Sequence, residues 1–182
     1  AEPVAEATKP ITPPKAVTAN KGADPARGIK PEPTTAKAPD ISIHVLEGNI
    51  EAVKKHLASG ADVNAKTKFT RTTPLHTASL LNRMEIAELL IIAGYEVNVK
   101  NADGTTPLDI AIRRYNSKMA DLLRKHGGKY GSLYTAVRAK DLEGVNELLT
   151  AGANVNEKVL GGLTPLDWSR SKEIDHLLRK HG

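Results

Sequence analysis

Six histidines and 21 acidic side chains are the residues of this 182-residue chain that could bind a metal or move a proton. Their spacing suits neither task. His44, His56, His76 and His126 stand far apart, and His176 and His181 are five apart. On a helix, side chains meet at separations of three or four. No His-Glu-x-x-His occurs, and cysteine is absent, which excludes disulfides and thiolate zinc sites. Gly127-Gly128-Lys129 and Gly161-Gly162 are glycine pairs without the spacing of a phosphate-cradling loop, and no Gly-x-Ser-x-Gly elbow is present. No two carboxylates are placed as an acid–base pair. The expectation is a chain with no catalytic residues, no cofactor and no metal, and one that is not an enzyme.

Composition narrows the remaining classes. The 26 basic residues exceed the 21 acidic ones by five and are scattered rather than gathered into a stripe, which argues against nucleic acid. The longest strongly apolar run, Leu89 to Ala93, is far too short to span a bilayer. The apolar stock is Ala, Leu, Ile and Val, with only six aromatic residues, and suits closely packed short helices. The sequence starts at Ala1 with neither methionine nor an apolar leader. It reads as a processed form or a fragment, with an exported or periplasmic location slightly favoured over a cytoplasmic one.

Residues 1–39 stand apart. They hold eight of the eleven prolines and carry six basic against four acidic side chains. Too few apolar groups are present to offset the entropy of ordering, so a disordered, extended tail is expected. From Asp40 onward the chain repeats itself. Thr73-Pro74-Leu75 recurs 33 residues later as Thr106-Pro107-Leu108 and again as Thr164-Pro165-Leu166. A second series runs Gly60-Ala61-Asp62-Val63-Asn64, Gly94-Tyr95-Glu96-Val97-Asn98 and Gly152-Ala153-Asn154-Val155-Asn156. Between the two series, apolar residues such as Met84, Ala87, Leu90 and Ile91 follow helical spacing.

Each part has a physical reason. Threonine caps a helix whose first position proline fills at no hydrogen-bonding cost. Asp109 and Asp167, three residues beyond their threonines, complete a capping box at the positive helix end. Gly60, Gly94, Gly127 and Gly152 stand where a second helix must stop in the left-handed conformation. Ala78, Ala111 and Ala136 let neighbouring helices approach. The unit is helix, turn, helix, glycine stop and hairpin-like loop.

With its 33-residue step, Thr-Pro-Leu-His at 73–76 and Gly-Ala-Asp-Val-Asn at 60–64, the stretch 40–182 resembles bacterial-type ankyrin repeats. The resemblance implies an all-α solenoid of about five repeats with short hairpin loops: 40–70, 71–103, 104–129, 130–160 and 161–182. It also implies that His76 bonds to neighbouring backbone or threonine. The pattern departs from the family at one place. Leu108 to Leu133 is 25 residues rather than 33, so the hairpin between repeats three and four is missing. Nine positions within 41–66 match 133–158 at a constant offset of 92. Two arrangements fit: two fused capped arrays, or one five-repeat stack with a notch or bend at Gly127–Gly131. The stack is favoured, because two repeats alone bury too little. Tyr130 and Tyr134 would fill the space of the lost hairpin, and Trp168 would cover the end of the core. The fifth repeat is short, and truncated helices are expected there.

The resemblance further implies a protein-interaction module that binds a protein or peptide on its concave face. Carried over position by position, the loop contacts are Phe69, Thr70 and Thr72; Ala102, Asp103 and Thr105; and Leu160, Gly161 and Leu163. The helix contacts are Leu80, Leu81, Arg113, Arg114, Arg138 and Ala139. Either Phe69 joins Leu80 and Leu81 in an apolar patch continued by the arginines, or it folds back over its own hairpin. The patch would suit an acidic amphipathic partner bound by a monomer. An alternative is an envelope-tethered scaffold whose basic tail contacts an anionic polymer.

Overall fold

The computed structural model describes residues 41–60, 64 and 66–182, except the side chain of Leu160. The segment 1–39, read as a disordered tail, lies outside the described residues. Among the described residues ten α-helices follow one another in pairs: α1 (Ile41–Glu47) with α2 (Ile50–Ala58), α3 (Pro74–Leu80) with α4 (Met84–Ile92), α5 (Pro107–Arg113) with α6 (Ser117–Lys125), α7 (Leu133–Ala139) with α8 (Leu142–Thr150), and α9 (Pro165–Trp168) with α10 (Lys172–His181). No named strand occurs among the described residues, and a single bridge joins Val159 and Leu163.

The caps explain the boundaries. Thr73, Thr106 and Thr164 are N-caps with proline next, and each closes a capping box with the residue three further on: His76, Asp109 and Asp167. Asn49 and Asp141 cap α2 and α8 by accepting from Ala52 N and Gly144 N, each at 3.0 Å. After α4, α6 and α8 the chain leaves through Gly94, Gly127 and Gly152, all with φ between 78° and 90°. There a side chain would strain the backbone.

Each inner helix packs on the next: α1 on α3, α3 on α5, α5 on α7 and α7 on α9. Ala78, Ala111 and Ala136 are fully buried at these contacts. Leu75, Leu90, Leu108, Leu123, Leu133, Ile174 and Leu178 belong to one apolar cluster that runs through the whole stack, including the α5–α7 junction. Each fully buried leucine contributes about 1.5–3 kcal/mol. In the fifth repeat only the first helix is truncated. α9 has four residues and ends at Ser169 in extended backbone, whereas α10 runs a full ten. The expectation that both helices shorten is therefore corrected: the missing residues come out of α9, and the apolar Ile174 and Leu178 hold α10 whole.

A candidate partner-binding face

Three loop tips project beside the inner helices. In the first, Thr67 N donates to Thr72 O at 3.0 Å. The hydroxyls of Thr67, Thr70 and Thr72 are linked at 2.6 and 2.8 Å. This web carries Phe69, whose ring is 86% exposed and has Lys68 Nζ 5.9 Å from its centroid. Phe69 does not fold back. In the second tip, Asn101 Oδ1 accepts from Asp103 N at 3.0 Å and from Thr105 N at 2.9 Å. The two tips are joined by Ala102 N donating to Thr70 O at 2.9 Å. Ala102 and Asp103 are exposed, while Thr105 is buried. In the third tip Val159 N donates to Leu163 O at 2.9 Å, and Gly161 and Leu163 are exposed.

On the helices, Leu80 and Leu81 are 41% and 39% exposed. Leu80, Asn101, Asp103, Arg113 and Arg114 line one groove of about 370 Å3. Arg113 and Arg114 make no ion pair among the described residues. Arg113 and Asp103 also border a larger opening of about 610 Å3, with Lys100 on their side and Tyr134, Asn154 and Glu157 opposite. This is the notch where a hairpin is missing. Arg138 lies outside the groove: its Nη1 donates to Tyr134 Oη at 2.7 Å and its guanidinium sits 4.5 Å from the Tyr115 ring centroid. Ala139 is half-buried.

The floor of the notch is held by Asp109, which is 1% exposed. Its Oδ2 accepts from Thr106 N and Gly131 N, each at 2.9 Å, and from Thr106 Oγ1 at 3.0 Å; its Oδ1 accepts from Thr135 Oγ1. Burial pushes its pKa up, and these donors pull it back. The carboxylate thus stitches repeat three directly to repeat four. Gly131 has to be glycine: a Cβ there would lie 2.4 Å from Gly104 O and 2.6 Å from Asp109 Oδ2. Tyr130 is buried beside this seam, with its hydroxyl shared between Arg124 and Asp141 Oδ2. Trp168 meets Tyr134 edge-to-face at 5.1 Å and packs against the last part of the core.

His76 fills the role the resemblance implied. Its Nδ1 accepts from Thr73 N at 3.2 Å and its Nε2 donates to Thr105 O at 3.0 Å, tying repeat two to repeat three. Burial lowers its pKa, so the neutral ring is the form that fits. Sequence reasoning did not find the asparagine rungs. Asn64 Oδ1 accepts from Glu96 N at 3.1 Å, and Asn98 Oδ1 accepts from Lys129 N at 2.6 Å. It also missed Tyr115, which is 81% exposed at a left-handed turn. The signal was available, because Tyr115 stands 33 residues after Asn82, a natural turn residue.

Over residues 41–133 the chain matches ankyrin repeats, in three copies. The chain belongs to the ankyrin repeat family. It is 31% identical over 144 residues to the mitochondrial disaggregase of Bos taurus, a match covering 72% of this chain and 21% of that protein. It is also 31% identical over 144 residues to the nuclear factor NF-kappa-B p105 subunit of Mus musculus, covering 76% of this chain and 14% of the relative. A putative ankyrin repeat protein of Rickettsia bellii is 32% identical over 91 residues, which is 47% of this chain and 54% of that one. The chain therefore spans about a fifth or less of the first two relatives. Ankyrin repeats generally mediate protein–protein interaction and are typically non-enzymatic modules. Among the described residues no helix is long and apolar enough to cross a membrane, and no three metal-ligating side chains converge.

Proposed function

We propose that this chain is a monomeric interaction module that seats an acidic, amphipathic segment of a partner protein along its concave face. The observation that carries this reading is the groove in which the exposed Leu80 shares a wall with Arg113 and Arg114, neither of which makes an ion pair among the described residues. Apolar side chains left in water next to charges without partners are favourable to cover together. The leucines take the apolar side of the segment and the arginines its carboxylates. Phe69, with Thr70 and Thr72 around it, supplies an aromatic anchor at the first tip. Leu81, Ala102, Asp103 and Leu163 extend the same loop-and-helix row. Interface energy concentrates in aromatic and arginine side chains, so a few residues should decide binding.

The test compares the wild-type chain with a Phe69→Ala/Leu80→Ala/Arg113→Ala variant as bait in quantitative affinity capture from source cells. All three side chains are exposed, so helical circular dichroism should be unchanged. Proteins enriched by the wild type should be lost from the triple variant, with at least about 2 kcal/mol of binding removed for each anchor that acts as a hot spot. An unchanged set of captured proteins would remove this face from consideration.

A further inference from the structure

A second pocket, which shares no lining residue with the Leu80–Arg113 groove, has the makeup of an anion site. It encloses about 270 Å3 at the C-terminal ends of α7 and α9, between Tyr115, Arg138, Lys140, Trp168 and Arg170. It follows from the shortness of α9. The preceding inner helices have seven residues, whereas α9 stops after four, and the last turn of α7 is left without a facing helical turn. Into that space the chain places three cations. None of them has a carboxylate partner among the described residues, and no acidic side chain lines the pocket.

Two further features distinguish the pocket from a chance gathering of surface charge. Arg138 is held in place, with Nη1 bonded to Tyr134 Oη at 2.7 Å and its Cζ 4.5 Å from the Tyr115 ring centroid. A guanidinium fixed on two sides loses little freedom when it binds a ligand. The second feature is backbone conformation. The turn between paired helices is left-handed at Gly48, Asn82, Tyr115 and Lys140. Glycine and asparagine adopt that region readily, whereas tyrosine and lysine do so at a cost. Those two unfavourable choices are the ones that line this pocket. Strained positions that cluster in one place point to a site.

We propose that this pocket binds a phosphate group, either free or as a phosphomonoester. A single carboxylate would leave two of the three cations uncompensated. A phosphomonoester carries about −1.5 to −2 charges at neutral pH with three acceptor oxygens, which matches three separate donors. The volume accommodates a group of that size, and the exposed Tyr115 ring offers a face on which the organic part of an ester can lie.

Trp168 is the chain's sole tryptophan, so its indole N–H gives one assignable signal in a nitrogen–proton correlation spectrum of the full chain. Inorganic phosphate, phenyl phosphate and acetate are each titrated at matched ionic strength. Phosphate or phenyl phosphate should shift the Trp168 indole and the Tyr115 and Lys140 amides saturably. Tighter binding of phenyl phosphate identifies an ester as the ligand, and equal binding identifies free phosphate. In an Arg138→Gln/Arg170→Gln variant the half-saturating concentration should rise at least about tenfold, since two charge-assisted hydrogen bonds are removed. If that variant loses the native spectrum, Lys140→Gln/Arg170→Gln, which leaves the Arg138–Tyr134 bond in place, should show the same loss. The proposal is overturned by any of three results: no saturable shift at these residues, shifts spread over lysines throughout the chain, or equal saturation by acetate.

Discussion

Replacing Gly131 by alanine should split the stack into two parts that unfold separately. Gly131 is not in the left-handed region, so the substitution adds no backbone strain and its effect comes from contact alone. The new methyl would lie 2.4 Å from Gly104 O and 2.6 Å from Asp109 Oδ2, well inside van der Waals contact. Repeat four has to move off repeat three, which also stretches the 2.9 Å bond from Gly131 N to the carboxylate. Overpacking costs about 1–3 kcal/mol, and a hydrogen bond to a charged acceptor is worth about 1.5–3 kcal/mol, of which part is forfeited. The combined effect is about 2–4 kcal/mol, a large fraction of the ~5–15 kcal/mol that stabilises a typical domain. In a stack each repeat leans only on its neighbours, so the loss falls on the α5–α7 interface. Trp168 fluorescence follows repeats four and five, while far-ultraviolet circular dichroism follows the whole array. In urea the two signals should coincide for the wild type. For Gly131→Ala the fluorescence transition should come first. Coincident transitions with a change under about 0.5 kcal/mol, the range of an ordinary surface substitution, would refute the argument for a tight seam.

Three further outcomes are expected. Burial holds the His76 pKa below its unfolded value of 6.5, so the stability it contributes is full above that value and is lost as pH falls through it towards the lower folded pKa. The urea midpoint should drop on acidification through this window, and less so in His76→Gln, whose amide can accept from Thr73 and donate to Thr105. Tyr130 is pushed up to about 12, first by burial and also by Asp141. In a spectrophotometric alkaline titration Tyr130 should ionise late, Tyr130→Phe should remove that phase, and the associated stability should fade as pH rises from 10 towards 12. Asn98→Ala removes bonds to Lys129 N and Gly127 O and should lower the urea-derived stability by about 1–2 kcal/mol, and by more than Asn154→Ala, which breaks only the exposed local turn bond from Asn156 N.

The helical frame was legible because its signals are local. A threonine followed by proline sets a helix start, and a glycine with positive φ sets a helix stop, whatever lies around them. What could not be read is shown by one tetrapeptide that occurs twice. Thr106-Pro107-Leu108-Asp109 and Thr164-Pro165-Leu166-Asp167 are identical, and both form the capping box. Asp109 is buried because repeat four stacks over it, and burial raises its pKa. Asp167 is exposed, and hydrogen bonds from Thr164 lower its pKa. The opposite shifts come from the neighbours, which no local motif records. The same reason hid the position of Arg138. By register it follows Arg113, but the Tyr115 ring and the Tyr134 hydroxyl hold it at a separate pocket. Phe69 was recognisable as the chain's one phenylalanine, yet its exposure depended on how the threonines closed its loop.

The notch between repeats three and four shows how separable the parts of this architecture are. Helices α7 and α8 begin and end 92 residues after α1 and α2 at every boundary, and α5 and α6 follow α3 and α4 at 33. The Leu108-to-Leu133 interval is eight residues shorter than the 33-residue step, yet these helices retain their lengths and the core continues across the junction. Helices and loop tips therefore behave as two independently editable layers, one bearing the load and the other presenting chemistry. Gly131 is a joint that a graft must respect, since its close approach to Gly104 closes the gap. An eight-residue tip spliced in with that joint loosened would give the array a continuous loop row, and a recognition surface that could be rewritten without redesigning its core.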